Sequence, residues 1–247
     1  TTYKSLPHGA ASRHYGTWVM AVLPFLEQTA IYDQYVPLTK YMQPPNRDLL
    51  EIRLAAYSCP SDSRFSSWTA NDIPNYNYVV NLGNTSNFRA PTLNGVTFQK
   101  SPFFCNNNGG SLPPDDVPFY RFADIRDGTS NTLMMLEIRQ GRNDNDLRGL
   151  TVWGPGSGCT AHNGPNTSVP DYLDGGWCPA ASFNLPGWPC QLATSANPVN
   201  CSARSYHPGG VVVALCDGSV RFVTDGIDLT TWRGLSTMNH GEILGEY

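Results

Sequence analysis

The segment that decides the fold is GVVVALCDGSVRFVT at residues 210–224. It contains two runs rich in β-branched residues, the composition that strands favour, on either side of Asp217-Gly218. Because Asp-Gly supplies the positive φ angles of a two-residue type I′ turn, the sequence predicts a tight antiparallel hairpin here. Asp228 follows as the predicted N-cap of a short helix over DLTTWRGLS.

Upstream of the hairpin, the sequence predicts two helical segments and two strands. Residues 16–36 carry apolar side chains at helical spacing, with Pro24 expected to bend the helix, and residues 47–57 form a second helical candidate. Residues 76–82 and 132–138 have the composition of strands. The predicted fold class is therefore α+β: one domain in which an N-terminal helical part packs on an antiparallel β-sheet with long loops.

The composition excludes one class of partner. The net charge is −4 and charged residues make up 15% of the chain, against roughly 25% in an ordinary soluble domain. So few Lys and Arg side chains offer little to a phosphate backbone, and we expect no nucleic-acid partner. The chain contains no apolar run of about 18 residues and no signal peptide, so we expect membrane contact only through a segment missing from it.

Residues 139–205 are interpreted as a loop-rich insertion tied together by disulfides. Four of the seven cysteines lie there and none forms a C-x-x-C pair, so we expect an oxidising compartment and at least two bridges, mostly among Cys159, Cys178, Cys190 and Cys201. Cys159 and His162 form a lone C-x-x-H, which is weak evidence for zinc.

The same segment contains three tryptophans, Trp153, Trp177 and Trp188. Exposed aromatic rings next to Asn and Asp side chains would suit a glycan, because rings stack on sugar faces and amides bond to hydroxyls. Packing in the core is the commoner fate of an aromatic side chain. A glycan-binding surface is therefore an alternative hypothesis for this segment.

A second candidate site is an oxygen-rich cluster that includes Asp124, Asp127 and Asn131. Calcium takes six to eight oxygen ligands of this kind, but the spacing does not match an EF-hand loop. Turn formation and helix capping explain the same residues. Calcium is the one cofactor that this pattern suggests, and we expect no other.

His207 and Asp217 flank a predicted strand, and a hydrolase would use them as a base and its orienting carboxylate. The chain has no G-x-S-x-G nucleophile elbow, and Cys216 lies in a β run where thiols are usually buried and inert. We therefore favour a structural role for His207, Gly209, Gly210, Asp217 and Gly218, and expect no catalytic residue and no enzymatic activity.

These residues also carry a family resemblance. His207-Pro208-Gly209-Gly210 followed by CDGSVRF resembles the carboxy-terminal H-x9-D-G signature of a planctomycete-type family, domain of unknown function 1559. Further blocks resemble that family in the same order: WVMAVLPFLEQTAIYDQY at 18–35, YSCPSD at 57–62 and FADIRDGTSNTLMMLE at 122–137.

The resemblance implies a pilin-like fold and a prepilin-type leader followed by a long hydrophobic helix, as in type IV pilins and pseudopilins. Leu6-Pro7-His8-Gly9 resembles the segment that follows this helix, and the helix would carry a cysteine able to partner Cys59. The implied function is an extracytoplasmic structural subunit at the cell surface, with itself or related pilin-like subunits as partners. A glycan- or solute-binding module and a hydrolase that uses His207 are the alternatives.

Overall fold

A mixed five-stranded sheet organises the chain in the computed structural model, which describes residues 4–62, 72–142, 145–174, 177–178, 187–242 and 245. In chain order the strands are β1 (Tyr78–Asn81), β2 (Thr92–Leu93), β3 (Val96–Thr97), β4 (Leu133–Glu137), β5 (Gly158–Cys159), β6 (Asp171–Leu173), β7 (Cys190–Leu192), β8 (Gly210–Leu215) and β9 (Val220–Thr224).

The central sheet has the strand order β5-β1-β4-β8-β9, and all of its neighbours are antiparallel except β1 and β5. Two small sheets, antiparallel β2–β3 and parallel β6–β7, lie beside it. The α+β class is thus confirmed, with a mostly antiparallel sheet. Because β5 belongs to residues 139–205, part of that loop-rich segment joins the central sheet beside β1.

The helices are shorter than predicted: α1 (Trp18–Val22), α2 (Thr29–Tyr32), α3 (Asn46–Leu50) and α4 (Leu229–Leu235). The predicted helix over 16–36 is interrupted by a 3-10 turn at Leu23–Leu26, which contains Pro24, and by Glu27 at a φ of 59°. Asp228 caps α4 as predicted, its Oδ1 accepting from Thr231 N at 2.9 Å. Within the described ranges, none of the helices has the length and apolar character needed to span a bilayer.

The β8–β9 hairpin forms as predicted, but its turn differs. Gly218 N donates to Leu215 O at 2.9 Å, which makes Cys216 and Asp217 the central residues of the turn. Of the Asp217-Gly218 pair, only Gly218 has a positive φ, 87°. The loop therefore has three residues and ends on a left-handed glycine, and the type I′ prediction was wrong.

The turn is set by contacts from another segment. Cys216 N donates to Thr132 O at 2.9 Å, and Asp217 N donates to Thr129 O at 3.0 Å. Asp217 Oδ1 accepts from Ser219 N at 2.9 Å, which holds the loop from inside. The segment before β4 thus fixes the conformation of the hairpin tip. The local Asp-Gly sequence could not predict these long-range hydrogen bonds.

The two faces of the central sheet differ in how they are packed. The covered face carries Val79, Leu136 and Val213, which are cross-strand partners and at most 2% exposed, and it packs in one cluster with Trp232 and Leu235 of α4. The open face carries the alternate residues. Trp18 and Val19 of α1 pack in one cluster with Val80 of β1, while Val220 and Phe222 of β9 are exposed on this face.

The described cysteines form one disulfide, Cys178–Cys190. Cys159 and Cys201 are free thiols, both buried in the cluster beneath the covered face. The expectation of at least two bridges was therefore wrong for this structure. Free cysteine behaves as a small apolar side chain. Cys159 and Cys201 therefore pack in the core and do not cross-link the chain.

Candidate functional site

His207 lies where three distant segments meet. Its Nε2 atom is 3.3 Å from Oε1 of Glu137 and 3.5 Å from Sγ of Cys59. Its ring is half-buried, with 30% of the side chain exposed, whereas the side chain of Glu137 is 2% exposed. His207 thus contacts a buried carboxylate, and the cysteine beside it was not expected.

Each of the three residues is held by a backbone hydrogen bond or a strand. Cys59 N donates to Oδ1 of Asn77 at 2.9 Å. Glu137 is the last residue of β4, and its Oε2 accepts from Val212 N at 3.1 Å. His207 N donates to Ser205 Oγ at 3.0 Å. The three side chains are therefore positioned before any ligand arrives.

Asp62 anchors the segment that delivers Cys59. Its Oδ2 accepts from Asn77 Nδ2 at 2.7 Å and from Gln140 N at 2.9 Å, and its Oδ1 is paired with Arg142. These contacts tie the turn at 59–62 to β1 and to the residues just after β4. The C-P-S-D sequence thus supplies both the Cys59 thiol and the carboxylate that fixes its position.

The electrostatics around Cys59 favour a neutral thiol. Burial, with a further contribution from Glu137, raises the pKa of the Cys59 thiol above its ordinary value. Burial and the adjacent Cys59 and Glu137 also raise the pKa of Tyr78 to about 12. A cysteine nucleophile needs a lowered pKa, so this environment does not activate Cys59 for covalent catalysis.

The hydrolase hypothesis paired His207 with Asp217, and the structure separates them. Asp217 lies at the hairpin tip, beyond the six-residue strand β8, which spans about 20 Å. Its carboxylate bonds to Ser219. The carboxylate beside His207 is that of Glu137, so the pairing that the hydrolase alternative requires is absent.

The glycines after His207 fit the backbone geometry. Gly209 has a φ of 82°, and a Cβ on Gly210 would lie 2.2 Å from the carbonyl oxygen of Val223. The first position thus requires the left-handed region, and the second requires the absence of a side chain so that β9 can approach. Both observations are consistent with the structural role expected for Gly209 and Gly210.

An apolar groove of about 500 Å³ runs along the open face beside this cluster. Its floor is a row of cross-strand partners, Val80, Met135, Ala214 and Val220, from β1, β4, β8 and β9. Tyr78, next to Cys59, lines the same groove. The N-terminal segment supplies part of the wall through Leu6, Pro7 and Trp18.

The blocks that meet in this geometry identify the family. A family model described as a protein of unknown function (DUF1559) matches residues 1–230. The chain belongs to the DUF1559 family. No curated protein and no solved structure matches the chain. The family description includes no activity, so any function has to be argued from the site.

The DUF1559 block at 122–137 places the predicted calcium residues in turns. Asp124 accepts from Arg121 N at 2.8 Å, and Asp127 accepts from the backbone N–H groups of His240 and Gly241 at 2.9 and 2.7 Å. Asn131 Nδ2 donates to Asp127 O at 3.3 Å. These bonds are the capping and turn contacts that the sequence suggested as the other explanation for the same residues. The calcium site stays a prediction.

The three tryptophans do not form an exposed surface. Trp153 is 5% exposed and Trp188 is 1% exposed, with the Arg148 guanidinium 3.7 Å from the Trp188 ring centroid. Trp177 is partly buried and packs against the core. A sugar cannot stack on the two buried rings, so Trp153 and Trp188 do not contribute to the glycan-binding surface of the alternative hypothesis.

Sequence reasoning missed Cys59, Glu137 and Tyr78 as members of a site. A usable signal existed, because Cys59 opens the C-P-S-D block, Glu137 closes the block at 122–137 and His207 opens H-P-G-G. Three of the four blocks of the DUF1559 pattern thus each contribute one side chain to the cluster. Their convergence depends on the strand order, which the sequence does not state.

Proposed function

We propose that this DUF1559 chain is the head of an extracytoplasmic pilin-like structural subunit, in a surface filament or as an anchored surface protein. Its partners would be copies of itself or related pilin-like subunits, and it would reach a membrane through an apolar helix that precedes residue 1. The Cys178–Cys190 disulfide supports an oxidising compartment. The observation that carries the proposal is the apolar groove on the open face.

The exposed side chains at the groove favour a partner. Val220 is 66% exposed and lines the groove, and Phe222, two residues further on β9, is 49% exposed. A contiguous apolar patch exposed on a protein surface marks an interaction site, whereas apolar side chains exposed singly are ordinary. Covering it would remove water from a surface built by four adjacent strands.

The position of the N-terminal segment supports a helix as the occupant. Leu6 and Pro7 lie in the groove wall, and Leu6 N donates to Tyr120 O at 2.8 Å, which holds that segment beside the sheet. A helix continuing upstream from these residues would start at the groove. The helix implied by the family resemblance is apolar, which matches the character of the lining.

The test is electron microscopy of the full-length protein after leader processing, with Val220→Asp as the variant. We expect filaments or membrane-anchored particles from the wild type and their loss in Val220→Asp, because a carboxylate cannot be buried against an apolar helix. Leu192→Asp is the matched control: Leu192 lies on β7, is 52% exposed and is outside the groove. Equal assembly by both variants would contradict the proposal.

The groove also favours a second candidate, the binding of an apolar solute. A volume of about 500 Å³ with an apolar lining lies within the usual range of small-molecule sites. If a solute is the occupant, an apolar fluorescent probe should bind the 247-residue chain and the full-length protein equally. If a helix is the occupant, the full-length protein should exclude the probe.

A further inference from the structure

We propose that Cys59, Glu137 and His207 form a binding site for a divalent transition-metal ion, with zinc as the metal that fits best. The proposal depends on side chains within the head and requires that Cys59 is a free thiol, as it is in this structure. One ligand atom from each residue lies within 4.8 Å of the other two. Among the residues that the structure describes, this is the one such group of three.

The distances correspond to the edges of a zinc tetrahedron. With Zn–S near 2.3 Å and Zn–N and Zn–O near 2.0–2.1 Å, a tetrahedral site has S···N and N···O edges of roughly 3.6 and roughly 3.4 Å. The Cys59 Sγ to His207 Nε2 distance is 3.5 Å, and the His207 Nε2 to Glu137 Oε1 distance is 3.3 Å. Two edges of the site therefore match a zinc tetrahedron, and the third, from the Cys59 sulfur to a Glu137 oxygen, is at most 4.8 Å.

The donor types select the metal. A thiolate, an imidazole and a carboxylate are the ligands of zinc and its neighbours in the first transition row, whereas calcium and magnesium take oxygen ligands only. A metal ion would also offset the free-energy cost of burying the charged Glu137 carboxylate, because the Glu137 side chain is 2% exposed. The site therefore differs in kind from the calcium cluster expected at Asp124 and Asp127.

The surroundings resemble those of a built metal site. The Val212 N–H holds the second carboxylate oxygen of Glu137, Asn77 holds the Cys59 backbone, and Ser205 holds the His207 backbone. Such contacts orient ligands and contribute to affinity. Because His207 is 30% exposed while the other two ligands are buried, the fourth coordination position would face solvent and hold water or an added ligand.

The test titrates the purified protein with Zn²⁺ and with Co²⁺, whose thiolate charge-transfer band reports a sulfur ligand. We expect one ion per chain, a Co²⁺–thiolate band and a raised melting temperature with zinc. Loss of a second-layer contact costs about 10–100-fold in affinity, so Cys59→Ser and Glu137→Gln should each lose at least about 100-fold. Cys216→Ser and His240→Ala, a buried thiol and an exposed imidazole outside the site, should bind as the wild type does.

A measurement on the wild type keeps the test valid if the variants do not fold. X-ray absorption of the zinc-loaded protein should give one sulfur and two or three nitrogen or oxygen ligands. Substoichiometric zinc, a site without sulfur, or equal binding by folded Cys59→Ser would overturn the proposal. So would Cys59 being held in a disulfide with the preceding helix in the full-length protein, because a disulfide sulfur is not a thiolate ligand.

Discussion

The two faces of the central sheet are built from alternate residues of the same strands, yet they differ in what covers them. On the covered face, Leu136 and Val213 are at most 2% exposed beneath α4, whose Trp232 is fully buried. On the open face, Val220 is 66% exposed. The covered face therefore contributes the buried apolar contacts, and we propose that the open face serves interaction, so that a substitution can change one property without the other.

The largest effect is expected on the covered face. Trp232→Ala should lower the free energy of unfolding by about 3–5 kcal/mol, because it removes a fully buried indole and leaves a cavity. Phe222→Ala, an aromatic truncation at a half-exposed open-face position, should cost much less. Urea unfolding of both variants measures the difference. Equal losses would show that the two faces contribute alike to stability.

A smaller effect is expected at the hairpin tip, between the faces. A Cβ on Gly218 would meet nothing within 4 Å, so substitution there acts through the backbone at a φ of 87°. Gly218→Val should cost about 1–3 kcal/mol, because a β-branched residue is strained in this region. Gly218→Asn should cost less. Melting temperatures that match for the two variants would exclude a strained left-handed position.

The sequence predicted those elements whose signals are local. The strands expected over 76–82 and 132–138 are confirmed within one or two residues at each end, and the hairpin and the capped α4 are where the pattern placed them. The helix over 16–36 was only partly right, because Pro24 and the left-handed Glu27 divide it into short pieces.

The rest depends on contacts between distant segments. The turn type is set by carbonyl groups of Thr129 and Thr132, and residues 139–205 join the sheet through a parallel strand beside β1. The cluster of Cys59, Glu137 and His207 needs the turn at 59–62, the end of β4 and the start of β8 to meet. The strand order brings these three segments together, and it cannot be predicted from local sequence spacing.

We propose that the open face receives an apolar helix preceding the head, and thiol labelling at one position on that face is the sharpest test. Val220→Cys places an exposed thiol in the groove, whereas the free thiols described in the structure are buried. Leu112→Cys, 57% exposed and outside the groove, is the matched control. We expect Val220→Cys to react readily in the 247-residue chain and to be protected in a longer chain that includes the proposed helix, while Leu112→Cys reacts in both. Equal reactivity of Val220→Cys in the two chains would contradict it.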